Sequence, residues 1–144
     1  MIEGPVLLDS DVLSDISRGR KSVTLLAKQY LERHGRLTLS VVTVFERLRG
    51  YRAALAAGKQ FEEHLRAFEA LVRASIVLPV DVAVAQDAAR LWARLGRRGR
   101  AAVGDILIAA TASANALPLV TRNRRHFEPM TKIEGVRLEL VRWA

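Results

Sequence analysis

The feature that most constrains this chain is a set of short apolar runs, each stopping at a polar residue. Pro5-Val6-Leu7-Leu8 ends at Asp9, Leu37-Thr38-Leu39 at Ser40, Ile76-Val77-Leu78-Pro79-Val80 at Asp81, and Leu117-Pro118-Leu119-Val120-Thr121 at Arg122. Runs of that length bounded by turn or cap residues read as buried strands, and Val136 to Val141 reads as a fifth. The segments between them carry helical spacing. Ser10 or Asp11 caps a short helix over 11–17. Val23, Leu26 and Tyr30 mark a helix over 22–34 that Gly35 ends. Val41, Phe45 and Leu48 follow the Ser40 cap. Phe61, Leu65, Phe68 and Val72 give a helix over 59–74, and Ala88, Leu91, Trp92 and Leu95 give one after Asp81. Residues 96–100 form a basic loop. Residues 103–116 make a helix with almost no polar face, which must be buried on most sides. Strands alternating with helices define an α/β fold with a mostly parallel sheet, in one domain spanning 1–144.

Composition removes several chemistries. The 144 residues contain no Cys, which excludes a disulfide framework, a Cys zinc site, an iron–sulfur cluster and a thiol nucleophile. No apolar run approaches the ~20 residues of a membrane span. Met1 to Pro5 has neither the basic start nor the apolar stretch of a signal peptide, so a cytoplasmic location is expected. The net charge is +8, and nineteen of the 23 cationic residues are Arg. Arg grips phosphate with a planar fork, so a nucleic acid or an acidic partner is favoured. Codon bias with a solvated basic surface gives the same count.

In open parallel sheets ligands sit at the carboxyl ends of the strands, so the residues just after each strand matter most. Asp9-Ser10-Asp11 follows the first strand and Thr121-Arg122-Asn123 the fourth. Glu46 lies in the first turns of the helix after the second strand, and Asp105 opens the buried helix. Singly, each acid has a plain structural role: Asp9 as a turn or cap residue, Asp105 as a complement to the helix dipole, Glu46 as a solvated side chain. Together, three carboxylates arrive near one edge of the sheet. No His, Cys or Lys stands at those positions as base or nucleophile, and Ser10 has no evident His partner for a triad. No glycine-rich phosphate cradle is present. A cluster offering only oxygen ligands points to Mg²⁺ or Mn²⁺, and in a basic protein to phosphodiester hydrolysis.

These residues sit in four segments, LLDSDVLSD (7–15), TVFERLRG (43–50), GDILIAATA (104–112) and LVTRNRRHF (119–127), followed by LELVRW (138–143). In this order and spacing the chain resembles the PIN-domain ribonucleases, specifically the VapC-like toxins of type II toxin–antitoxin pairs. The resemblance implies a three-layer α/β/α sandwich with its acids at the carboxyl edge of the sheet. It also implies that Asp9, Glu46 and Asp105 are the catalytic, metal-holding acids. The family's fourth acid is replaced: Asn123 and His126 stand in that region, with Asp11 and Thr121 as other candidates for the fourth position. Arg97, Arg98, Arg100, Arg122, Arg124 and Arg125 are candidate phosphate contacts on an RNA substrate. The resemblance further implies a small cognate antitoxin and a homodimer, both expected to use the helices within 11–34 and 41–74. The competing reading is a PIN-fold RNA- or protein-binding module with a weakened site. A structure-specific DNA nuclease, using the same chemistry, needs extra elements for which 144 residues leave little room.

Overall fold

The computed structural model describes residues 4–97 and 99–143. In chain order the elements are β1 (Leu7–Leu8), α1 (Ser10–Ser17), α2 (Lys21–His34), β2 (Thr38–Ser40), α3 (Val41–Ala56), α4 (Glu62–Arg73), β3 (Ile76–Leu78), α5 (Val82–Leu91), α6 (Val103–Ala114), β4 (Leu119–Val120), α7 (Arg124–Phe127) and β5 (Leu140–Val141). A π-helical turn, Trp92–Gly96, extends α5, and a 3₁₀ turn, Glu128–Lys132, follows α7.

Every strand pair is parallel. β1 pairs with β4 and β4 with β5, while β2 pairs with β3. β2 lies against β1, which puts the two ladders side by side. The alternation of the strands sorts their side chains into two cores. Leu7 and Leu119 face a layer built from α5, α6 and the 3₁₀ turn, with Val84, Leu91, Ile106, Ile108, Phe127 and Met130. Val6, Leu8, Leu39 and Val120 face the opposite layer, with Val12, Leu13, Val23, Tyr30, Val44 and Phe68 from α1 to α4. This is the expected α/β/α sandwich, and α6 is buried along most of its length.

Several boundaries differ from the sequence reading. α1 is capped by Asp9, whose side chain accepts from the Ser10 amide, rather than by Ser10 or Asp11. The strands are shorter than the apolar runs, because pairing extends only as far as the neighbouring strand reaches. α4 starts at Glu62, leaving residues 59–61 outside it. Gly96 belongs to the π turn rather than to a loop. The helical segment over 124–132 carries no apolar stripe long enough to announce it. The largest difference is the face of α3. Val41 and Phe45 are 40% and 60% exposed, and the helix instead buries Val44, with Leu48 and Tyr51 partly covered. Val44, Leu48 and Tyr51 also fall at i, i+4 and i+7, and this second stripe wins because Tyr51 packs on Phe68 of α4, ring centroids 5.7 Å apart.

At the head of β1 the Val6 amide lies inside the fold and donates to the Tyr30 hydroxyl at 3.0 Å. A buried amide without a partner costs about 1–3 kcal/mol. Tyr30→Phe keeps the ring and removes the acceptor. It should therefore destabilise the protein by about 1–3 kcal/mol in urea unfolding; an unchanged midpoint would show that the hydroxyl contributes nothing.

Candidate active site

The site is built from the first residues beyond β1 and β4. These strands are parallel and adjacent, so Asp9 and Thr121 emerge side by side. Asp9 is buried at 4% exposure. One carboxylate oxygen accepts from the Ser10 amide at 2.8 Å and the other from the Thr121 hydroxyl at 2.8 Å. The Thr121 oxygen in turn accepts from the Asn123 amide at 2.9 Å. Thr121 thus orients Asp9, and Asn123 reaches the site through its backbone while its side chain lies on the exposed surface.

Asp105 lies in the first turn of α6, and its charge bears on both Asp9 and Glu46. Burial is the main force on Asp9, pushing its carboxyl up to about 6, with the Asp11 and Asp105 charges adding to it and the two hydrogen bonds opposing it. Glu46 is also raised, first by burial and then by Asp105, against a smaller pull from Arg49. Asp11 is raised mainly by burial. The sequence carries no hint of how Glu46 is seated, but the Gly104 backbone explains it. A Cβ on Gly104 would lie 2.5 Å from Glu46 Oε2, so the carboxylate rests directly against the start of α6 and would have to shift if Gly104 carried a side chain. Free amides at a helix N-terminus favour negative charge there. His126 Nδ1 stands 3.5 Å from Asp105 Oδ2, an ion pair whenever the imidazole is protonated.

The remaining candidates divide. Asp11 is half-buried; its Oδ2 accepts the Arg122 amide at 2.9 Å, and its Oδ1 is buried without a hydrogen-bond partner. The guanidinium of Arg122 is paired as well as partly exposed: its Nε lies 2.9 Å from Asp15 Oδ2, with the side chain 41% exposed. Arg124 reaches Glu128 at 3.7 Å. Arg97, Arg100 and Arg125 are exposed, and Arg98 lies outside the described residues. Sequence reasoning misses Asp15 and Gly104. A glycine directly before a helix-opening acid is the available signal for Gly104; Asp15 has none.

The donor set suits a hard divalent cation: carboxylates only, with Asp9, Asp11 and Glu46 raised mainly by burial and an unpartnered buried oxygen on Asp11. Among the described residues no three His, Asp or Glu side chains are already arranged to hold one ion.

The parallel α/β/α sandwich is that of a PIN domain, and the family model for that domain matches residues 6–132. The chain is 32% identical over 126 residues to Ribonuclease VapC19 of Mycobacterium tuberculosis, covering 84% of this chain and 90% of that one. It is 34% identical over 107 residues to the tRNA(fMet)-specific endonuclease VapC of Shigella flexneri, covering 73% and 75%. Its fold matches the DNA-bound VapBC structure from Salmonella typhimurium with a TM-score of 0.75 and 26% identity, over 99% of this chain and 100% of that one. The chain belongs to the VapC-like ribonucleases of the PIN-domain family. No helix among the described residues is long and apolar enough to cross a membrane.

The raised Asp9 has a consequence for stability. Its folded value, about 6, lies above the ordinary 3.8, so the native state holds the proton more tightly. The stability this contributes is full below about pH 4 and is lost as pH rises through about 6, a change on the order of 3 kcal/mol. Urea unfolding in EDTA should show wild type weakening between pH 4.5 and 7.5, and Asp9→Asn, which has no such proton, weakening distinctly less. Parallel profiles would contradict this.

Proposed function

We propose that this chain is a Mg²⁺- or Mn²⁺-dependent endoribonuclease, the toxin of a toxin–antitoxin pair, restrained by a small cognate antitoxin and acting in the cytoplasm as a homodimer. The observation that carries the catalytic part is that the Asp105 charge acts on both Asp9 and Glu46, bringing acids of three separate elements to bear on one another. The ribonuclease names of the relatives support the substrate class, and they do not favour the reading as a binding module without turnover.

Asp9, Asp105 and Glu46 would hold the ion, with Asp11 as a further oxygen donor. When bound, the ion supplies an activated water and offsets the charge developing on phosphate. The chain's own residues set the geometry. The Ser10 amide and the Thr121 hydroxyl fix both oxygens of Asp9, and Gly104 gives Glu46 its place at the head of α6. His126 stands beside Asp105 at the same rim. Arg97, Arg100 and Arg125 offer exposed charge to the RNA backbone, a contribution that weakens with salt.

Purified protein should cleave single-stranded or looped RNA with Mg²⁺ or Mn²⁺ and stop in EDTA. Asp9→Asn and Asp105→Asn should each lose on the order of 100-fold or more, since each deletes a charged ligand. Cleavage undiminished in EDTA, or in the Asp105→Asn protein, would sink this mechanism.

Because the acids repel, Asp105→Asn should also raise the Tm in EDTA and shrink the additional rise that millimolar Mn²⁺ gives. Equal Mn²⁺-induced shifts in the two proteins would remove Asp105 from the site. The toxin role has its own test. Expression alone should arrest growth, Asp9→Asn should relieve the arrest, and co-expression of a small neighbouring gene product should yield a complex. A harmless wild-type chain would leave a nuclease without the toxin role.

A further inference from the structure

The fourth family acid is absent from the 121–126 segment, yet that segment is held by acids reaching over from α1. Asp11 and Asp15 are one helical turn apart and face the turn after β4. Asp11 Oδ2 takes the Arg122 amide at 2.9 Å. Asp15, with a fully buried side chain, faces the Arg122 guanidinium at 2.9 Å and Arg20 at 3.5 Å. Neither Asp15 oxygen receives a well-directed hydrogen bond, so the attraction is one of charge, between a buried carboxylate and two half-exposed guanidiniums. Arg122 is therefore gripped twice, by its backbone and by its side chain. Its neighbour Thr121 donates to Asp9 Oδ2, and the Asn123 amide donates to Thr121.

We infer that Asp15, acting through Arg122, is a positioning residue for Asp9: the Asp15–Arg122 pair locks the turn after β4 so that the Thr121 hydroxyl holds the Asp9 carboxylate in its ion-binding orientation. The chain of contacts is continuous, from α1 to Arg122, to Thr121, to Asp9, and back to α1 through the Asp9 cap. It closes a ring around the one acid that is both buried and at the centre of the site. In this ring Arg122 is a latch rather than an RNA contact, and the acids of α1 do from outside the turn what the missing acid does not do within it. Partners that orient a ligand in this way typically govern metal affinity by 10–100-fold.

The inference rests on the divalent-ion reading above, and Mn²⁺ binding separates the two. Free Mn²⁺ is measured by electron paramagnetic resonance against folded wild type, Asp9→Asn, Arg122→Ala, Arg122→Lys and Asp15→Asn, with circular dichroism and melts in EDTA run alongside. Wild type should bind and Asp9→Asn should bind far more weakly. Arg122→Ala and Asp15→Asn should lose about 10–100-fold in Mn²⁺ affinity. Arg122→Lys, which keeps the charge and the fold but not the planar fork, should fall between.

A purely structural ion pair would lower the Tm and leave the Mn²⁺ affinity of the folded protein unchanged. A phosphate-contacting Arg122 would lose RNA affinity and keep Mn²⁺ affinity. Either result, with wild type binding Mn²⁺ and Asp9→Asn failing to, overturns the latch alone. Should the other variants fail to fold, Arg122→Lys with wild-type Mn²⁺ affinity overturns it by itself. A wild type that takes up no Mn²⁺ overturns the ion reading and the latch together.

Discussion

The structure turns on one buried carboxylate. Asp9 ends β1, caps α1 through one oxygen and accepts from Thr121, just beyond β4, through the other. A charge in that position is costly, and its carboxyl rises to about 6 accordingly. A cap alone does not require such a residue, since an exposed Ser or Asn caps as well. Burial, two donors and the nearby charges of Asp11 and Asp105 are what the proposed cation site would use, a bound ion offsetting the repulsion among them.

The sandwich exists to present that edge. Parallel pairing brings the ends of β1 and β4 to one side, and the alternation along β1 sends Leu7 to one core while Val6 and Leu8 enter the other. Burying both faces fixes the strands in register, and with them the positions of Asp9 and Thr121 at their ends. α6 is buried along most of its length, which holds Asp105 and Gly104 rigidly at its first turn. Rigid elements carry the acids, and only the turn after β4 needs a separate restraint, which Asp11 and Asp15 supply.

Much of this is legible in the sequence, for physical reasons. Short apolar runs have few alternatives to buried strands, and a helix with almost no polar face, such as 103–114, has nowhere to go but inside. The acids are visible because they interrupt apolar patterns. The hidden features depend on partners distant in the chain. The Thr121–Asp9 bond spans 112 residues and the Arg122–Asp11 bond 111, and nothing local marks either. Hence the sequence shows Arg122 as a candidate phosphate contact but not its pairing with Asp15, and Asp15 reads as an ordinary helix acid. The face of α3 is ambiguous at the level of pattern: two stripes share Leu48, and only the packing of Tyr51 against α4 decides between them, leaving Phe45 outside beside Arg49.

Whether one ion sits among these acids is the central question, and crystals soaked in Mn²⁺ and measured for anomalous scattering near the manganese edge would locate it directly. The expected map has a peak within coordination distance of the Asp9 carboxylate, shared with Asp105, Glu46 or both, and Asp9→Asn crystals treated alike show no such peak. A wild-type map with no peak at Asp9, or with manganese bound only at unrelated surface acids, would contradict the cation site.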